Sequence, residues 1–135
     1  MAAISRRSPE AAQWRVESYG NGPAAGQTIF LAEVEGQIQG FLVARFVSGE
    51  AEILNMAVDP SKRREGIGRQ LLTAAFAEAL AKKTERIYLE VRESNQAAIG
   101  FYSGRGFART GIRRNYYSGP TENAVLMERK LTAQD

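Results

Sequence analysis

Residues 52–72 read EILNMAVDPSKRREGIGRQLL, and this stretch decides the fold. An apolar run closes at Val58, Asp59-Pro60 breaks it, a basic turn follows, and an apolar-periodic segment opens after Gly66-Ile67-Gly68. That order predicts a strand, a basic glycine-containing loop and a helix. The first turn of a helix leaves backbone N–H groups without intrahelical partners. With Arg63, Arg64 and Arg69 around them they suit an anion. The residues alone leave two readings open, a site for a phosphate-bearing ligand or a tight turn with solvated arginines.

Working upstream, Thr28 to Val34, Gln37 to Val47 and Glu50 to Val58 read as three strands of a meander, with turns at Glu35-Gly36 and Ser48-Gly49. Gly40 inside the second points to a bulge or a close approach. On the third, strict alternation places Leu54, Met56 and Val58 on one face and Ile53, Asn55 and Ala57 on the other. Asn55 then either satisfies a neighbouring backbone group or faces a site. Before the meander, Ser8-Pro9-Glu10 resembles a helix start, with a capping hydroxyl, proline at the first helical position and an acid in the first turn. The expectation is a short helix ending before Gly20, preceded by an ordinary chain end.

Downstream, Ile67, Leu71, Leu72, Ala75, Phe76, Ala79 and Leu80 form an apolar stripe at helical spacing, so Gly66 to Lys83 is expected as the main helix. Arg86 to Val91 alternates as a fourth strand, with Tyr88, Glu90 and Arg92 opposite Ile87, Leu89 and Val91. Ser94-Asn95 opens a short helix, with Ser94 the expected cap, and Gly104 to Gly106 ends it. Phe107 to Arg114 is a further strand, Tyr116 to Pro120 a loop, and Ala124 to Leu131 a closing strand antiparallel to an earlier one. The order β–β–β–α–β–α–β–β predicts an α/β (α+β) chain: a mixed central sheet flanked by helices, with one parallel pair across the strand–helix–strand unit.

The chain has 135 residues and a net charge of +3, which fits one domain over 1–135 with a real core. It contains no cysteine and no histidine, so a thiolate nucleophile, a disulfide, an imidazole base and the usual zinc ligands are excluded, and no metal is expected. Proton transfer must use carboxylates, tyrosine, lysine, a terminal amine or water. No apolar segment is long enough to span a membrane, and the N-terminus lacks an apolar signal region, so a cytoplasmic protein without membrane contact is expected.

Three blocks together carry a resemblance: LNMAVDPSKRREGIGRQLL (54–72), IYLEVRESNQAAIGFYSGRGF (87–107) and GIRRNYY (111–117). They resemble the GNAT superfamily of N-acetyltransferases and, more narrowly, the bacterial ribosomal-protein-alanine N-acetyltransferases, which acetylate a protein N-terminus. The resemblance covers roughly residues 28–131 and implies a GNAT-like fold with the parallel pair around an acetyl-CoA cosubstrate. It implies that backbone groups of Met56, Ala57 and Val58 border acetyl-CoA. Arg64, Glu65, Gly66, Ile67, Gly68 and Arg69 would cradle its pyrophosphate, and Asn95 would contact it. Glu90 matches the general-base position and Tyr102 the general-acid position. Family members begin with a strand and a fuller pair of helices. Here the first strand is expected to be missing and the N-terminal elements abbreviated.

The implied chemistry suits these residues. Amide formation from a thioester needs a neutral amine, and an α-amine with a reference pKa near 8 is far easier to deprotonate than a lysine near 10.4. A carboxylate at Glu90 need only accept a proton as the amine attacks, and a hydroxyl at Tyr102 can protonate the leaving thiolate. From spacing alone, Glu90 serves equally as a structural partner of Arg92 or Arg113, Tyr102 as a buried ring, and Asn95 as a helix-start residue. Tyr116 and Tyr117, beside Arg113 and Arg114, are read as a wall of a peptide groove or as sheet-edge packing. No repeated stacking platform accompanies them, so direct nucleic-acid binding is not expected. Basic groups in such a groove would steer an acidic acceptor. An uncovered strand edge would allow a homodimer. Two other functions fit the same residues: acetylation of a small-molecule amine or a lysine, and a non-catalytic domain that binds CoA or a partner.

Overall fold

The structure, a computed structural model, describes residues 2–4, 14–20, 26–60 and 66–132. Its core is a sheet in which β3 (Gln27–Val34), β4 (Gln37–Val47) and β5 (Glu50–Val58) form the expected meander. Both hairpin turns place two successive residues at positive φ, Glu35 and Gly36 at 51° and 81° and Ser48 and Gly49 at 48° and 85°. That backbone matches the right-handed twist of the strands it joins. Helix α1 (Ile67–Ala81) follows, then β6 (Arg86–Arg92), α2 (Gln96–Ser103), β7 (Ala108–Tyr117) and β8 (Glu122–Lys130). Chain order differs from spatial order at one end, because β8 inserts between β6 and β7 and leaves β7 at the edge. The β5–β6 pair is parallel, as the crossover through α1 requires.

The N-terminal expectation fails. Residues Trp14–Gly20 form a strand, β2, paired antiparallel with β3 from Trp14↔Val34 to Gly20↔Thr28, and Ala2–Ile4 forms β1 against it. The sheet therefore has eight strands in the order β1-β2-β3-β4-β5-β6-β8-β7. No helix precedes α1 among the described residues, and a strand does precede the meander. Trp14 and Val16 alternate with Arg15 and Glu17, a period of two that suits a strand, and no stripe at helical spacing opposes it. The capping signal at Ser8-Pro9-Glu10 lies outside the described residues.

The face grouping on β5 also changes. Val43 pairs with Asn55 but Ala44 pairs with Ile53, so Leu54 is an extra residue in the ladder. A bulge shifts the alternation by one. Ala51 and Ile53 are buried before it, Met56 and Val58 pack on the core after it, and Leu54 itself is exposed. The helix-covered face thus runs through Leu42, Ala44, Ile53 and Met56. Arg45, Glu52, Asn55 and Ala57 lie on the other face.

Helix α1 lies on the first face, with Ile67, Leu71, Leu72, Ala75 and Ala79 buried. Gly40 lets it approach. A Cβ there would stand 3.0 Å from the Ala57 carbonyl oxygen and 3.1 Å from Ile67 Cγ2. The glycine therefore sets how closely the N-terminal end of α1 sits beside the end of β5. Tyr116 and Tyr117 belong to β7, where a loop was expected. Tyr117 pairs with Glu122, so the strand runs into the tight connection before β8.

Candidate active site

The site begins where two strands part. β5 and β6 pair only over Glu50–Ile53 and Arg86–Leu89. Beyond that point Asn55 to Val58 pair with β4 alone, and Glu90 to Arg92 with β8 alone. Backbone groups on the facing sides of the two strand ends are left without ladder partners, an arrangement that suits a polar ligand lying along them.

A cavity of about 650 Å³ opens at this end of the sheet. One wall is Met56, Ala57 and Val58. A second is the start of α1, Gly66 to Arg69. The third is α2, with Ala97, Ala98, Phe101 and Tyr102, closed by Arg105. Gly66 has φ 82° and no side-chain cap, and the first intrahelical bond is Gln70 N–H to the Gly66 carbonyl. The N–H groups of Ile67, Gly68 and Arg69 precede that bond, so the helix offers them to whatever lies at its end. Gly68 faces Phe101 and Met56, and a Cβ there would already touch the Phe101 ring at 3.5 Å. The glycine keeps the passage between the two helices open.

Tyr102 is 6% exposed, and its ring lies edge-on to both Phe101 and Phe107 at 5.3 Å. Burial pushes its hydroxyl up to about 12. A group in that range stays protonated at neutral pH and can donate a proton. The helix that carries it starts at Asn95, whose Oδ1 accepts from Ala98 N–H at 3.1 Å. Asn95 thus holds the cap expected of Ser94, and it does not line the cavity. The turn before α2 is tied to β8: Glu122 accepts from Ser94 N–H and pairs with Arg92, and Glu93 N–H donates to the Asn123 carbonyl.

Glu90 does not share this cavity. It lies on the face opposite α1 and lines a second cavity of about 520 Å³ with Glu50, Glu52, Tyr88, Arg45 and Arg113. Arg113 Nη2 stands 3.2 Å from Glu90 Oε1, so the structural pairing foreseen for Glu90 is present. Nearby, Tyr88 donates to Glu50 at 2.9 Å and Arg45 to Glu52 at 2.6 Å. Three carboxylates against two guanidinium groups make this groove slightly acidic, which removes the basis for steering an acidic acceptor. Arg113 also stacks over Tyr116, and Arg92 over Tyr117, so the two tyrosines edge the same face.

Of the residues expected at the cofactor, Met56, Ala57, Val58, Gly66, Ile67, Gly68 and Arg69 come together in one cavity. Arg63, Arg64 and Glu65 lie outside the described residues. Ala97, Ala98, Phe101 and Arg105 were not foreseen. Of these, Ala98 is a one-turn neighbour of both Asn95 and Tyr102 on α2 and was legible from helical spacing. Arg105 follows the helix and carried no such signal.

This geometry has known counterparts. The model of the acetyltransferase (GNAT) family matches residues 4–107. The chain belongs to the GNAT acetyltransferase family. It is therefore an acyltransferase, and the resemblance carried by the three sequence blocks holds. Among its relatives is the [ribosomal protein bS18]-alanine N-acetyltransferase of Escherichia coli (strain K12), 36% identical over 84% of this chain and 78% of that protein. The crystal structure of the Escherichia coli ribosomal-protein-S18-alanine N-acetyltransferase superposes with a TM-score of 0.74 at 36% identity, over 79% of this chain and 70% of that one. A Bacillus anthracis protein solved in complex with acetyl coenzyme A superposes with a TM-score of 0.73 at 28% identity, over 82% of this chain and 65% of that one. No helix among the described residues is long and apolar enough to cross a membrane.

Proposed function

We propose that this GNAT chain is an acetyl-CoA-dependent N-acetyltransferase that acts on the α-amine of a protein N-terminus, with a ribosomal protein as acceptor. One observation carries this reading. The parted ends of β5 and β6 have an uncapped helix start and a buried, protonated tyrosine on one side, and a glutamate on the other. The named bacterial relative supports the choice of acceptor. A cytoplasmic location goes with that acceptor.

When bound, acetyl-CoA supplies an acetyl thioester. The residues that fit it are Met56, Ala57 and Val58 along the strand end and the N–H groups of Ile67, Gly68 and Arg69 at the phosphates, with Arg64 and Glu65 assigned there from the sequence. Asn95 does not line the cavity, so its contribution is to hold the start of α2, whose Ala97, Ala98 and Phe101 form the third wall. The acceptor amine approaches from the Glu90 face, between the tyrosine-edged β7 and the charged groove. Its nitrogen forms the new bond to the acetyl carbon as the C–S bond breaks. Glu90 takes the amine proton, through water given its separation from Tyr102, and Tyr102 returns a proton to the sulfur. A three-way acceptor panel tests this: peptides with a free N-terminal alanine, Nα-blocked peptides carrying lysine, and small amines. Turnover is expected on the first class, and turnover confined to small amines would overturn the assignment.

A further inference from the structure

Among the described residues, two groups of arginines contrast. Arg45, Arg86, Arg92 and Arg113 each stand 2.6–3.7 Å from a glutamate. Arg69 and Arg105 have no carboxylate partner among the described residues. Two other arginines without one, Arg109 and Arg114, stand exposed on the edge strand β7. Arg69 and Arg105 instead both line the 650 Å³ cavity. The same pair lines a further cavity of about 420 Å³, which continues along the second and third turns of α1 past Leu72, Thr73 and Phe76.

Arg105 is only partly exposed. Its guanidinium carbon lies 4.5 Å from the centre of the Phe101 ring, and its Nε is buried without a hydrogen-bond partner. A buried N–H on a charged group costs stability unless something accepts from it. Contact with the ring restrains the guanidinium and leaves it without a carboxylate partner among the described residues. The geometry is thus a guanidinium held in place against an aromatic ring at the cavity lining.

The position identifies the anion. A coenzyme A ligand with its pantetheine arm along Met56–Val58 and its pyrophosphate at the N–H groups of Ile67 to Arg69 would continue into the part of the cavity that Arg69 and Arg105 line. The next charged group along such a ligand is the monoester on the ribose. We propose that Arg105, with Arg69 lining the same cavity, binds this 3′-phosphate and makes the enzyme selective for the 3′-phosphorylated coenzyme. This rests on the acetyl-CoA assignment above and adds a specificity-determining residue to it.

The test is calorimetric titration of the full chain with CoA and with 3′-dephospho-CoA, at low and at moderate salt. Wild type should prefer CoA by roughly tenfold or more, with the preference shrinking as salt rises. Arg105→Leu should lose the preference while its affinity for 3′-dephospho-CoA stays within about twofold of wild type, a result that also shows the cavity is intact. Arg105→Lys should recover part of the preference, since a point charge attracts phosphate without the planar fork. Equal affinity of wild type for the two ligands would overturn the proposal. So would an Arg105→Leu variant that weakens both ligands alike, which is the result expected if Arg105 only packs on Phe101 or contacts the pyrophosphate or the adenine. No binding of either ligand by wild type would remove the acetyl-CoA assignment itself, an outcome distinct from binding without discrimination.

Discussion

The two faces of the sheet treat charge in opposite ways. On the face away from α1, Arg45, Tyr88 and Arg113 each have a glutamate partner, and the groove they line is nearly neutralised from within. On the helix-covered side, α1 begins without a side-chain cap, and Arg69 and Arg105 have no carboxylate partner among the described residues. Paired charges hold a surface in shape, whereas unmatched donors around a cavity favour an anion that arrives from solution. The difference separates the face proposed for the acceptor, organised by its own ion pairs, from the side proposed for the cofactor, whose donors favour an anion.

The largest effect should come from the two residues assigned to proton transfer, one on each side. Glu90→Gln keeps the size of the side chain and removes its basicity, so kcat/KM should fall about 10²–10⁴-fold while CoA affinity, read by calorimetry, stays near wild type. Tyr102→Phe should lower kcat with the fold retained. Rates within about threefold of wild type for both variants, on a verified acceptor, would show that positioning rather than these side chains carries the reaction. The pH profile needs the Glu90→Gln variant beside wild type, because an α-amine titrates near 8 and would otherwise mask the base.

Packing separates the faces next. Leu71 is fully buried beneath α1, so Leu71→Ala should cost about 2–5 kcal/mol in denaturant unfolding. Arg45→Ala on the other face removes an ion pair whose side chains are 45% and 35% exposed, and it should cost at most about 1 kcal/mol. A larger loss at Arg45 than at Leu71 would invert the comparison.

Titration gives two finer contrasts. The Tyr102 hydroxyl is raised from 10.0 to about 12 by burial, so the folded state binds its proton more tightly than the unfolded chain does. The resulting stability is complete below pH 10 and is lost as pH rises toward 12, and Tyr102→Phe should lack that loss. Glu122 is shifted the other way, below its ordinary value of 4.5, first of all by its hydrogen bond with Ser94. Its contribution is present above pH 4.5 and fades as pH falls through the lowered value. Glu122→Gln should flatten the acid limb of stability slightly, the smallest effect of the series.

Local chemistry was enough for much of this architecture. Two hairpin turns require positive φ and carry Glu35-Gly36 and Ser48-Gly49, and the stripe from Ile67 to Leu80 suits only a helix. The strand–loop–helix around Gly66 predicted the parallel crossover, and the three sequence blocks carried the family and most of the cavity wall. Patterns of this kind are set by neighbours within one turn or one strand pair, so the residue order contains them.

Other features depended on partners far away in the chain. Residues 14–20 form a strand because β3 has an edge to pair with, and the helix-start signal upstream carried no information about that edge. Leu54 is a bulge because the ladder with β4 slips there, a relation between two strands that alternation along one strand cannot show. Glu90 and Tyr102 were assigned adjacent roles from sequence, yet they stand on different cavities because the sheet runs between them. Arg105 lay beyond the last helical repeat of α2 and acquired a place only when packing put it in one cavity lining with Arg69 of α1. Short-range propensity decides which elements form; the pairing and packing of distant segments decide which faces, charges and cavities those elements create.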